Sequence, residues 1–350
     1  MEILIKIVKV VTIAQIFLIL VFLITVYVYK YYTHLRDKKN AEKTIQLNEM
    51  LSSHFDRKES FPQKSAQILK KSLNDVLRNL EGTKRSSSQN EYFSTYKKQL
   101  SDLVLQPIAR KWATSRTWYK RFDATLCYMY SFEAKDEEKL LKLLNDPSIL
   151  IAINAAEVVV THNHRQLINE MITIFSKGRR LPQTLIVENI SKLNNDISPI
   201  ILERLEYEQH LYTRIFCYRL LTAFPQQTIA ACAKKDLNYD SIDLKIVVIN
   251  YLVHCEDDAK NELIYSLAYG PHWEVSSAVA KALGSIHTKT SIDLLSNLLH
   301  SSDWWVRQNA AFSLYKQGKE GIQVLQEQSL EQDKFAYESA LLVLKEREKL

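Results

Sequence analysis

Four places in the chain carry residue types that could do chemistry. The first is "VVTHNHRQ", where His162 and His164 form an H-x-H pair. Two imidazoles can begin a metal site, but zinc takes three or four ligands at matched spacing, and no further Cys, His or acidic ligands stand at that spacing here. The pair therefore reads as a polar loop. The second is His254–Cys255, a base beside a thiol. Adjacent residues on a helix point apart, so the imidazole does not face the sulfur and the pair is a poor catalytic dyad.

The third place is a set of bases at recurring offsets, Arg121, Arg214, Lys245 and Arg307. Such a column can clamp phosphate or carboxylate groups, because guanidinium forks bind planar anions bidentately. It can equally be a structural ladder. The fourth is Trp304–Trp305. Two tryptophans at the start of a helix point about 100° apart around its axis, so both cannot enter one core. Trp305 aligns with Tyr119, Tyr212 and Phe335, and these four are the candidate partner-binding residues. Trp304 aligns with Trp118 and Trp273, which favours packing at that place.

These residues are held by a repeat. Counting from Trp304, equivalent starts fall at Trp118, Ile149, Gln183, Leu211, Ile242, Trp273, Trp304 and Lys334, a period of about 31 residues, in the range of helical solenoids. Ten residues after the starts stand Tyr128, Val159, Leu193, Leu221, Leu252, Leu283, Leu314 and Leu344. Six residues after them stand Ala124, Ala155, Asn189, Cys217, Val248, Val279, Ala310 and Ala340. Together they make an apolar stripe at helical period. Thr117, Ser148, Ser241, Asp303 and Asp333 precede the starts as expected N-caps. Each unit is a capped helix, a polar loop and a second amphipathic helix such as "TSIDLLSNLLH". One such hairpin cannot bury its own stripe, whereas a stack of them makes a continuous core.

The turn Asp303, the pair Val306–Arg307 and "NAAFSL", with "NDPSILIAINAAEVV" at 145–159 as a second copy, resemble the HEAT repeat family. The resemblance covers the chain from Trp118 onward. It implies an all-α solenoid of about eight units, a C-terminal capping half unit, and a basic column in which each residue bonds the turn of its neighbour. The units around Gln183 and Leu211 depart from the pattern.

Composition agrees with an all-α fold. Gly 6 and Pro 7 are too few for the tight turns of a β or α/β protein, and no glycine-rich phosphate loop exists. Cys127, Cys217, Cys232 and Cys255 lack zinc-knuckle or disulfide-framework spacing and read as small buried residues in a reducing compartment.

Residues 1–32 read as a transmembrane anchor. "VVTIAQIFLILVFLITVYVY" carries no charge over about 20 residues, the length that crosses a hydrocarbon core. Tyr27, Tyr29, Tyr31 and Tyr32 follow like interfacial aromatics. Lys30, Arg36, Lys38, Lys39 and Lys43 after the run outnumber Lys6 and Lys9 before it, which places the remainder in the cytoplasm. Residues 33–110 read as a helical linker or divergent first repeats, and the array proper runs over 111–350. The formal charge of +6 is concentrated before Phe122, with Arg110, Lys111, Arg116 and Lys120 as the membrane-proximal basic residues. They suit either anionic lipid or a solvated face.

Two function classes follow. The layout resembles bacterial single-span membrane proteins with cytoplasmic HEAT repeats. That resemblance implies a scaffold holding a protein partner at the inner membrane face, such as an envelope glycosyltransferase or a signalling protein. The alternative is an enzyme on the same fold, as in HEAT-like DNA alkylpurine glycosylases and phycobilin lyases. A glycosylase needs a broad basic surface for phosphate, and here acids outnumber bases beyond Phe122. The expectation is a non-enzymatic scaffold with no cofactor, no catalytic or metal site, and neither nucleic acid nor a small molecule as ligand.

Overall fold

A computed structural model describes residues 15, 17–35, 73, 77, 98–178, 180–193 and 195–347. The sequence readings of residues 36–72, 81–91 and the chain start lie outside them. The chain divides into two compact units, residues 1–111 with 126–131, and residues 112–125 with 132–350.

In the first unit, α1 (Phe17–Leu35) is long and apolar enough to cross a membrane, and a signal sequence passes the same test of length and composition. Its Phe, Leu, Ile and Val side chains lie open, with Phe17 and Phe22 about two-thirds exposed. Further on, a π-helical turn Ser101–Leu105 runs into α2 (Gln106–Trp112) and buries Leu100, Val104, Leu105 and Ile108.

Beyond α2 the helices alternate. α3 (Trp118–Ser131) is followed by α4 (Glu137–Leu144), α5 (Ile149–Thr161), α6 (Arg165–Ser176), α7 (Arg180–Ile190) and α8 (Ser198–Tyr207). Then come α9 (Leu211–Leu221), α10 (Ala233–Leu237), α11 (Ile242–Val253), α12 (Ala259–Tyr265) and α13 (Trp273–Leu283). α14 (Lys289–Leu298), α15 (Trp304–Lys316), α16 (Lys319–Gln326) and α17 (Lys334–Arg347) complete the series. In the second unit the odd-numbered helices from α5 to α17 pack one against the next as one layer. Even-numbered helices α4, α6 and α8 pack in sequence on the other side, as do α14 and α16. No β-strand occurs among the described residues; a single bridge joins Gln226 to Cys255.

The recurrent apolar places are interior. Val159, Leu221, Leu252, Leu283 and Leu314 have no exposed surface, and neither do Cys217, Val248, Val279 and Ala310. Each large side chain so buried contributes about 1.5–3 kcal/mol of transfer free energy.

One unit shifts register. α7 starts at Arg180, three residues before Gln183, so odd-helix starts at 118, 149, 180, 211, 242, 273 and 304 stand an even 31 apart. Ile186 and Ile190, both buried, fill the places read as Asn189 and Leu193. Asn189 instead donates from Nδ2 to Glu157 Oε1 at 2.6 Å, and burial raises the Glu157 pKa. Pro182 obscures the start in sequence, yet a proline is harmless in a first turn, where its missing N–H has no intrahelical partner to lose.

Capping also differs. Ser241 Oγ accepts from Leu244 N, and Asp333 Oδ1 accepts from Phe335 N and Ala336 N. Ser148 and Asp303 make no such bond. There the side chain two residues earlier folds the turn: Asp146 Oδ1 accepts from Ser148 N at 2.9 Å, and Ser301 Oγ from Asp303 N at 3.2 Å. The same turn recurs as Ser115 to Thr117 and Glu208 to His210. Asp and Ser side chains make such local turns readily.

Candidate functional site

The basic column is turned inward. Arg121 Nε and Nη2 donate to Asp146 at 2.5 and 3.1 Å, while Nη1 donates to the carbonyls of Ser115 and Arg116. Arg214 binds Asp236 through two nitrogens and donates Nη1 to Leu205 O and Glu208 O. Arg307 gives Nη1 to Ser301 O and Ser302 O, and its guanidinium lies 5.0 Å from the Phe335 ring centroid. The shared pattern satisfies carbonyls that lie beyond the reach of helix bonding in the preceding turn. Lys245 is half-buried and makes no ion pair among the described residues. Gln183 occupies the column place of α7, donating Nε2 to Phe175 O at 2.8 Å.

Asp236 is also the acceptor for the Tyr218 hydroxyl at 2.6 Å. Burial first, and that bond second, push the phenol well above its usual range. Arg214, Asp236 and Tyr218 thus lock α10 onto α9. Cys217 and Cys255 are inert by environment: burial pushes the Cys217 thiol up to about 12 and also raises Cys255. Cys255 Sγ contacts Tyr251 O at 3.6 Å.

The histidine pair spans the turn between two helices. His162 ends α5, Asn163 takes φ 48°, and His164 Nδ1 caps α6 by accepting from Leu167 N. Both rings lean on Phe132, at 5.4 and 5.7 Å between centroids. No cluster of metal-ligating residues occurs among the described residues.

Tyr119, Tyr212, Trp305 and Phe335 are 51, 71, 55 and 59% exposed. Trp304, read as packing, is itself 48% exposed, and Trp273 and Trp118 lie open likewise. The Trp304 and Trp305 rings meet edge-on, 4.7 Å between centroids. First-turn side chains lean back over the helix end, past the neighbouring helix that would cover them. Of the basic residues, Arg110 is half-buried near the end of α2, Lys111 and Arg116 are exposed, and Lys120 is half-buried.

A groove that no motif announced crosses the odd layer. It holds about 520 Å³ and is lined by α7, α9, α11, α13 and α15. Thr222, Ala282 and Ser285 keep its lining low, and Arg219, Lys281 and Lys316 supply three cations against Asp243. Arg219 Nη1 is held by the Gln183 side-chain oxygen. Lys281 and Lys316 are exposed and meet no carboxylate at ion-pair distance among the described residues. Burial, then Lys260, lowers the His254 pKa, which favours the neutral form of this lining imidazole. The detectable signal was positional: Arg219 and Lys281 lie eight residues into their helices, His254 and Lys316 twelve.

Residues 261–345 match the family model for HEAT repeats. That part of the array is HEAT-like. No curated protein matches the chain. Among solved structures, an engineered protein is 14% identical with a TM-score of 0.36, over 87% of this chain and 98% of that one. Human deoxyhypusine hydroxylase in complex with glycerol is 13% identical with a TM-score of 0.30, over 75% of this chain and all of that one. At these scores neither speaks to what this chain does. The matched HEAT repeats include Lys281 and Lys316 of the groove, and a HEAT-repeat scaffold supports protein interaction as a general role.

Proposed function

We propose that this chain is a membrane-tethered scaffold that holds a protein partner at the cytoplasmic face of the membrane, without catalysing a reaction itself. The groove across five odd-numbered helices carries the reading. Its cations line one groove whose rim is low at Thr222, Ala282 and Ser285, and a peptide segment with acidic side chains complements it. The partner classes are those the layout suggests, an envelope glycosyltransferase or a signalling protein.

The tether reading is supported by α1, whose apolar side chains lie open among the described residues. Its threonine hydroxyls are internally satisfied: Thr25 Oγ1 donates to Val21 O and Thr33 Oγ1 to Lys30 O, both at 2.8 Å. That removes most of their cost in hydrocarbon, where water is absent. The cationic excess after the apolar run supports the cytoplasmic side.

Photo-crosslinking in intact membranes tests this directly. A crosslinking amino acid replacing Asn250, in the groove, is expected to capture one discrete partner, and the same group replacing Lys289 on α14 is not. Equal capture from both positions, or turnover of a substrate by the purified chain, defeats the proposal.

A further inference from the structure

The repeat leaves its tryptophans in one kind of place. Trp118, Trp273, Trp304 and Trp305 all lie in the first turn of an odd-numbered helix, and all are between 43 and 58% exposed. Tyr119 and Tyr212 share that turn and are as open. The odd helices from α5 to α17 pack as one layer and enter it by the same kind of turn, so first turns line up along one edge of the unit. Exposed apolar side chains that recur along one edge mark an interaction surface.

We infer that this edge lies in the interfacial zone of a lipid bilayer. The inference rests on the tether proposed above, and three observations favour lipid over a protein as the cover. The residue types are those of a membrane interface, where rings sit at headgroup level with an apolar body and a wet tip. A protein hot spot concentrates its aromatics in the centre of a compact patch, whereas these are spread over the first turns of α3, α9, α13 and α15, with none in those of α5, α7 and α11. The turns also withdraw negative charge from the edge: Asp146, Glu208 and Asp236 are held by Arg121, Arg204 and Arg214. Arg116 and Lys177 remain exposed there, and Arg116 and Lys120 flank Trp118 and Tyr119 in sequence. Asp243 and Glu274, in the first turns of α11 and α13, stand with Asp240, Asp303 and Glu331 as carboxylates left at this edge, so its contact with lipid rests on the aromatic side chains rather than on charge. A span in the same chain supplies a high local concentration of membrane, so weak interfacial contacts suffice. The groove then stays open to the partner while the edge rests on lipid.

Tryptophan fluorescence isolates the edge from the anchor. The five tryptophans are Trp112 and the four above, and none precedes residue 112. The full chain would be reconstituted in phosphatidylethanolamine–phosphatidylglycerol vesicles containing lipids brominated high on the acyl chain. Flotation with loss of most tryptophan emission is the expected result. Flotation with undiminished emission overturns the inference and leaves the tether intact. Failure to float removes the tether and the inference together. A Tyr212→Ser, Trp305→Ser double variant should keep its helical spectrum and melting temperature while the quenching of Trp118 and Trp273 weakens. Unchanged quenching in that variant also overturns the inference.

Discussion

Arg121 and Asp146 meet through two parallel hydrogen bonds, although 25 residues separate them. The guanidinium stands at the start of α3 and the carboxylate in the turn before α5, so the bond joins one repeat to the next. Both side chains are largely buried, 17 and 4% exposed. The hydrogen bond to Asp146 is the main cause of the raised Arg121 pKa. Arg121→Ala strands a buried carboxylate and two carbonyls, and a loss of about 3 kcal/mol is expected. Chemical denaturation of the full chain in detergent checks it; a loss below about 1 kcal/mol would make this an ordinary surface pair.

Leu283→Ala should cost about 2–5 kcal/mol, because the side chain is fully buried between units and leaves a cavity. Leu342→Ala, at 43% exposure, should stay within about 0.5 kcal/mol. Comparable losses at both positions would contradict the shared interior.

Gly321→Ala is expected to destabilise. In an exposed helix the same change gains up to about 1 kcal/mol from propensity and chain entropy. Here a Cβ would lie 2.0 Å from Leu314 O, where α16 packs on α15. A rise in melting temperature would show that the two helices separate readily.

Native thiol titration should find at most Cys232 reactive, since Cys127, Cys217 and Cys255 are buried. All four should react after denaturation. Rapid labelling of Cys217 in the native protein would contradict a thiol pushed up to about 12.

Lys281→Glu with Lys316→Glu should leave stability within about 0.5 kcal/mol, both residues being exposed. Loss of two exposed pairs at up to about 1 kcal/mol each weakens the partner by up to about thirtyfold. Undiminished capture in a pull-down would place the partner elsewhere.

The repeat was legible from residues alone because burial recurs at fixed helical offsets: Leu252, Leu283 and Leu314 announce one interior. One unit was misread by three residues, because Pro182 reads as a breaker and Asn189 interrupts the apolar column. Only the packed structure shows Ile186 and Ile190 taking those places. Likewise a lone Trp304 could not declare its exposure, which depends on whether a neighbouring helix reaches past its first turn.

Local pattern therefore determined the helices, their period, the apolar run and the absence of a cofactor-type motif. Tertiary structure decided which charges are spent and which are available. Arg121, Arg214 and Arg307 look like a clamp in sequence and are consumed by turns and neighbours. Arg219, Lys281 and Lys316 look like scattered surface residues and converge on one groove. The reason is physical: helical period fixes the face a side chain leaves from, but its partners come from units 31 residues away, and only the stacking of those units brings them together.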